Sequence, residues 1–235
     1  MAEPSAWVIR FAARIPEAGT VLDLAAGSGR HTRFLRDQGS RIVAVDIDTR
    51  GLEEFGGDAR VDLVDADLEG DAWPFGETTF DGIVVTNYLH RPLLPRLTEA
   101  LAPAGALIYE TFAVGQEAHG RPSNPSYLLR EGELLDVFDG PLEVIAYEHV
   151  HETDPRPAVR QRICAVKPGR PKLSENAAKA PDGHADAQGG AKPEQQTRQC
   201  FVHARGNEGH VAMERALRGV ERQPAGAGRD AEEQQ

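Results

Sequence analysis

The chain has 235 residues, enough for one domain of ordinary size with further segments. Its formal net charge of −11, from 37 acidic against 26 basic side chains, argues against a general nucleic-acid binder, which needs a basic face. The two cysteines, Cys164 and Cys200, form neither a metal spacing nor a disulfide framework, and no apolar run reaches membrane-span length, so the reading is a cytoplasmic protein without metal or membrane.

Residues 4 to 14 read as a short amphipathic helix, begun by Pro4 and Ser5 and carrying Trp7, Val8, Phe11 and Ala12 on one face. Packing beside a sheet is its expected role, with a cap over a ligand as the alternative. The same stretch lacks the basic prefix and apolar core of an export signal. A turn at residues 15–19 leads into an apolar strand, Val21 to Leu24, interrupted by Asp23. Ala25, Ala26, Gly27, Ser28 and Gly29 follow, and a helix from His31 to Gln38 is closed by Gly39. Small residues here let main chain approach a ligand, and the free N–H groups of the following helix favour polar or anionic groups. Alanine at position 25 demands ordinary backbone angles, so the loop is expected to be slightly reshaped there.

A second strand, Arg41 to Val45, delivers Asp46 about 20 residues after the glycines, where a nucleotide fold keeps a ribose-binding acid. A weak helix at 50–55 stops at Gly56-Gly57, and a third strand, Arg60 to Val64, delivers Asp65, Asp67 and Leu68. Ala72 to Phe75 is an apolar patch, expected to pack and to be kept extended by Pro74. A buried fourth strand, Gly82 to Val85, ends in the polar run Thr86-Asn87-Tyr88 followed by His90 and Arg91. A helix over 93–101, a turn at 103–105 and a fifth strand, 106–112, come next. The run 113–126 is rich in Gly, Pro and Asn and has the length of a lid or binding loop. A helix is expected at 128–138, then strands at 142–150 and 159–166. His149 and His151 share one strand face, a weak metal signal best read as an exposed edge.

The glycine stretch, Asp23 followed by Gly27-x-Gly29, resembles the first motif of class I S-adenosylmethionine-dependent methyltransferases. It lacks the third glycine of a dinucleotide fingerprint, and Asp23 suits a cationic ligand better than a pyrophosphate. Phe80-Asp81-Gly82 and the polar turn after the fourth strand resemble that family's fourth motif. The resemblance covers residues 1–167. It implies an α/β fold, a doubly wound, mostly parallel seven-stranded sheet with a C-terminal antiparallel hairpin. It also implies S-adenosylmethionine as cofactor, with Asp23, Ala25, Gly27 and Gly29 around the methionine part and Asp46 on the ribose. Asp67 and Leu68, with Asp65 as second choice, would meet the adenine, and Thr86 and Asn87 the methionine end.

Methyl transfer is an in-line displacement that needs positioning and exclusion of water more than a catalytic triad. A base, if one is used, would be His90, with Tyr88 orienting the acceptor. Arg91, His119, Arg121 and Tyr127 are the expected substrate contacts. The partner is a small-molecule acceptor rather than nucleic acid, and the sequence leaves the oligomeric state open. A catalytically silent cofactor-binding regulator and a nicotinamide oxidoreductase are the alternatives; the latter lacks a Tyr-x-x-x-Lys pair. From residue 168 to 235 apolar periodicity vanishes, apart from a marginal helix at 210–220, and a disordered or appended tail is expected.

Overall fold

Short runs of β-branched and aliphatic residues build the centre of the molecule. The computed structural model describes residues 2–70, 72–153 and 156–169. The expected tail, its marginal helix and Cys200 lie outside the described residues from position 170 onward. Strands β1 (Thr20–Leu24), β2 (Arg41–Asp46), β3 (Val61–Asp65), β4 (Phe80–Thr86), β5 (Leu101–Phe112), β6 (Glu143–Glu152) and β7 (Ala158–Val166) form one sheet. Its order is β3-β2-β1-β4-β5-β7-β6, so the expected doubly wound architecture is present. Strands β1 to β5 pair in parallel, and β7 runs antiparallel to both β5 and β6. After β1 the chain lays β2 and β3 to one side and then crosses to place β4 on the other. The carboxyl ends of β1 and β4 therefore flank the switch in strand order, where such sheets bind ligands.

Alternate residues on each strand serve opposite faces. Leu22, Leu24, Ile83, Val85, Leu107 and Tyr109 pack under helices α3 (Leu94–Ala100) and α4 (Glu133–Phe138), with Leu97, Leu134 and Phe138 above them. Val21, Ile42, Ala44, Val84 and Ile108 face α1 (Ala6–Phe11) and α2 (Arg30–Asp37), meeting Trp7, Val8, Phe11 and Leu35. Each such aliphatic side chain contributes roughly 1.5–3 kcal/mol by leaving water. The first helix packs beside the sheet: the Ser5 hydroxyl caps it by accepting from the Trp7 N–H, and the Trp7 indole donates to the Ile163 carbonyl at 3.2 Å.

Three local expectations are corrected. The fourth helix begins at Glu133 rather than Leu128, because Leu129 is paired in a β-bridge with Ala113 and Gly132 holds φ 71 at the helix entry. Pro74 stands in a turn, not an extended run; Trp73 and Phe75 nevertheless pack as expected, with ring centroids 5.0 Å apart. Strand β5 starts at Leu101, and the 103–105 turn is a bulge within it, with Ala104 at φ 65 and a register shift opposite Phe80 and Gly82. At the far end, the Lys167 ammonium donates to the carbonyls of Thr98 and Leu101 at 3.0 and 2.7 Å, closing the last turn of α3. Among the described residues no helix is long and apolar enough to cross a membrane.

Candidate functional site

The loop between β1 and α2 is shaped by three residues in the left-handed region: Ala25 at φ 56, Gly27 at φ 57 and Gly29 at φ 71. Alanine there costs roughly 1–2 kcal/mol, so the expectation of ordinary angles at Ala25 is overturned: the loop keeps its shape and carries the strain. The two glycines serve different ends. A methyl group on Gly29 would lie 2.5 Å from Phe55 and 2.8 Å from Leu52, so this glycine makes room for the turn after β2. A methyl group on Gly27 would meet nothing within 4 Å, which makes Gly27 the open point of the loop.

Asp46, at the end of β2, joins that loop to the next. One carboxylate oxygen accepts from the Gly27 N–H at 2.8 Å and the other from the Asp48 N–H at 3.1 Å. Ile47, between them, is 65 % exposed, an aliphatic side chain with nothing over it beside a carboxylate. The sequence reading passed over it, although an apolar residue between two acids at a strand end is a signal. Asp65 sits exposed at the end of β3, paired in register with Asp46. Asp67 accepts from the Glu69 N–H at 2.9 Å, and Leu68 is buried beneath them.

Asp23 is not placed as expected. It is 2 % exposed, and its carboxylate accepts from the Thr32 hydroxyl at 2.6 Å, which leaves it inside the loop's foundation instead of at a ligand surface. Burial pushes its pKa up to about 6, against the pull of the Thr32 hydrogen bonds. His31, singled out by no pattern, is equally buried. Its Nε2 accepts from the Ser5 N–H at 3.1 Å, so Nδ1 carries the proton, 3.4 Å from the Thr86 hydroxyl. Burial lowers its pKa to about 4, which keeps the ring neutral. One side chain thus ties the N-terminal helix, the glycine loop and the end of β4 together.

Beyond β4, Asn87 is exposed at φ 56, its Oδ1 accepting from Arg160 on β7 at 2.6 Å. Tyr88 is half-buried, and its hydroxyl is shielded from solvent with no hydrogen-bond partner among the described residues. Burial, then the charges of Glu69, Asp67 and Asp46, push its pKa upward, so the phenol stays protonated. His90 heads the 3₁₀ turn Arg91–Leu93, half-buried, with no side-chain capping bond. Arg91 overturns its assignment as a substrate contact. Its guanidinium grips Glu133 at 2.6 and 2.9 Å and donates to the carbonyls of Ser126 and Leu128 at 2.8 Å each, so it is spent on the chain itself. Burial would raise the Glu133 pKa, but the hydrogen bonds from Arg91 and from Arg130 outweigh it and hold it at about 2.

The expected lid is an ordered strap. The Gln116 side chain accepts from the Val159 N–H at 2.9 Å and donates to the Arg121 carbonyl; Gln161 donates to the Arg130 carbonyl. Between these anchors His119 and Arg121 are exposed. Tyr127 turns toward the strand ends and, with Tyr88, Leu89, Thr111, Phe112 and Pro122, lines a cleft of about 190 Å³. Arg121 lies on the open outer depression beside Tyr127 instead. The structure therefore brings Tyr88, Asn87 and Tyr127 together, and leaves His119 and Arg121 outside. His149 and His151 stack on the exposed face of edge strand β6, ring centroids 6.1 Å apart.

Residues 21–105 match the family model described as a methyltransferase domain. Over 109 residues the chain is 34% identical to a demethylmenaquinone methyltransferase of Clavibacter sepedonicus, a stretch that is 42% of this chain and 43% of that protein. The chain thus matches under half the length of that relative. Among solved structures, the 1,6-didemethyltoxoflavin N1-methyltransferase of Burkholderia thailandensis, solved with its substrate and S-adenosylhomocysteine bound, superposes with a TM-score of 0.54 at 21% identity, over 69% of this chain and 76% of that one. TehB of Haemophilus influenzae gives 0.56 at 19% identity, over 70% and 62% of the two chains. NodS, an N-methyltransferase of Bradyrhizobium japonicum, gives 0.55 at 14% identity, over 68% and 92%. These likenesses establish the shared fold.

Proposed function

We propose that this chain, whose residues 21–105 match the methyltransferase-domain model, transfers a methyl group from S-adenosylmethionine to a small organic acceptor. The observation that carries the reading is the Asp46 carboxylate, held by the Gly27 and Asp48 amides beside the unobstructed Gly27 Cα at the switch in strand order. Each carboxylate oxygen keeps a lone pair for a ribose hydroxyl. Ile47 offers an apolar surface on which a base can lie, and the acids of β2 and β3 give the region the negative sign that a sulfonium prefers. The residues present therefore fit the cofactor.

When bound, S-adenosylmethionine supplies an activated methyl: its carbon–sulfur bond breaks as the acceptor–carbon bond forms, sulfur keeps the electron pair, and an O–H or N–H acceptor gives up a proton. The chain's own work is to hold and to exclude. Asp46 fixes the sugar, the loop through Ala25 and Gly27 bounds the methionine side, and the strap from Gln116 to Tyr127 keeps water from the cleft. Tyr88, protonated at neutral pH, donates to an acceptor atom and does not serve as a base. His90 takes the proton if one is removed inside the site. A relative named for demethylmenaquinone and a fold neighbour named for 1,6-didemethyltoxoflavin support the small-molecule reading.

Calorimetry with S-adenosylhomocysteine and with a nicotinamide dinucleotide tests this directly. The first binds and the second does not. In Asp46→Ala, loss of charge-assisted hydrogen bonds weakens S-adenosylhomocysteine by about 100-fold. Unchanged affinity in that variant, or preference for the dinucleotide, overturns the reading.

A further inference from the structure

The cleft at the ends of β4 and β5 has a polar side whose sense is fixed by charge. Asn87 lines it, and the Asn87 Oδ1 is held on the Arg160 guanidinium at 2.6 Å. Arg160 is itself immobilised, its Nε donating to Glu152 at 3.1 Å and its guanidinium lying 4.1 Å over the Phe112 ring. Turning the amide over would set its NH₂ against a group that only donates. Asn87 therefore keeps its two N–H donors for whatever enters. Tyr88 lines the same wall, with its hydroxyl shielded from solvent and without a hydrogen-bond partner among the described residues.

Apart from Thr111 and Glu69, the remaining lining, Leu89, Phe112, Pro122 and Tyr127, is apolar or aromatic and suits a flat ring. The volume, about 190 Å³, lies below the roughly 300 Å³ at which sites for drug-sized molecules begin. Charge argues against an anion. Glu69 is one of the lining residues, Arg91 is committed to Glu133, and Arg160 to Glu152.

We infer that the cleft selects an uncharged single-ring acceptor bearing an oxygen or ring nitrogen that accepts hydrogen bonds, and that the Asn87 amide, locked by Arg160, is the specificity-determining group. Only the word acceptor rests on the methyltransferase reading; the binding preference of the cleft does not.

Ligand-observed NMR titration of the full chain, with S-adenosylhomocysteine present, compares three rings of like shape: acetophenone, cumene and benzoate. Acetophenone binds about tenfold more tightly than cumene, the worth of one good hydrogen bond, and more tightly than benzoate. Asn87→Asp tolerates the left-handed turn and keeps a partner for Arg160, but replaces donors by an acceptor; the preference for acetophenone over cumene disappears. Arg160→Met frees the amide to turn and brings the ratio toward parity, a second variant that leaves Asn87 in place. Equal binding of acetophenone and cumene, absence of acetophenone binding, a preference for benzoate, or a ratio unchanged in both variants overturns the inference. If S-adenosylhomocysteine fails to bind in the same samples, the methyltransferase reading falls, while the ranking of the rings still reports on the cleft.

Discussion

The two walls of the site are held in different ways. The cradle at the ends of β1 and β2 is made of main chain: three alternate residues in the left-handed region, amides turned onto one carboxylate, and a glycine fitted against Phe55. The strap opposite has little regular structure of its own and is pinned by side chains: Gln116 reaching out to β7, Gln161 reaching in to the Arg130 carbonyl just past its exit, and Arg91 holding the Ser126 and Leu128 carbonyls. A wall made of backbone is rigid and tolerates few sequences. A wall pinned by long side chains keeps its course while its exposed residues vary, a useful division when one wall meets an invariant cofactor and the other a particular acceptor.

The contrast can be broken most severely from the cradle side. Gly29→Ala adds a methyl 2.5 Å from Phe55 at φ 71 and is expected to remove about 3 kcal/mol of stability. Urea unfolding measures the loss, and S-adenosylhomocysteine affinity falls with it. A variant as stable as the parent would show that the loop is not backbone-bound.

A second, smaller effect separates the foundation of the cradle from its surface. Burial lowers the His31 pKa to about 4, so on acidification the unfolded chain takes that proton first and the fold is weakened. Burial raises the Asp23 pKa to about 6, so the folded chain takes that proton first and the fold is strengthened. From about pH 6.5 to about 4.5 the two contributions oppose each other and nearly cancel. Asp23→Asn leaves only the histidine, and its unfolding free energy then drops by about 2 kcal/mol across that window. Denaturant titrations at several pH values read the slope, and a flat profile in the variant refutes the assignment.

The smallest change sharpens the comparison from the strap side. Glu133→Gln removes the charge that Arg91 grips, and because Arg91 is one-third exposed the loss is about 1 kcal/mol. Limited proteolysis speeds up within residues 117–127, while S-adenosylhomocysteine affinity stays within about twofold. A parallel loss of cofactor affinity would mean that the walls are not independent.

The same division governs how much could be read from the sequence. The individual strands, the glycine loop and the position of Asp46 at the end of β2 were legible because each rests on local periodicity and turn chemistry, whereas the doubly wound sheet came only with the family resemblance. Arg91 was misread because its partner lies 42 residues onward, and an arginine after a strand looks the same whether it faces a ligand or a buried glutamate. Asp23 was misread for a similar reason: strand alternation does not say that Thr32 will reach back to it. His31 gave no signal at all, since its acceptor role depends on Ser5, 26 residues earlier, arriving at the same corner. The helix expected from Leu128 started late because a tertiary bridge at Leu129 outweighed local propensity.

Lys167 carries a practical consequence for anyone shortening this protein. Its ammonium closes a helix more than sixty positions upstream, and its own amide donates to the Gly105 carbonyl at 2.9 Å while its carbonyl accepts from Ala104 at 2.9 Å. A cut placed just before it would unbutton the entry to the central fifth strand, whereas a cut a few residues later spares every one of those bonds.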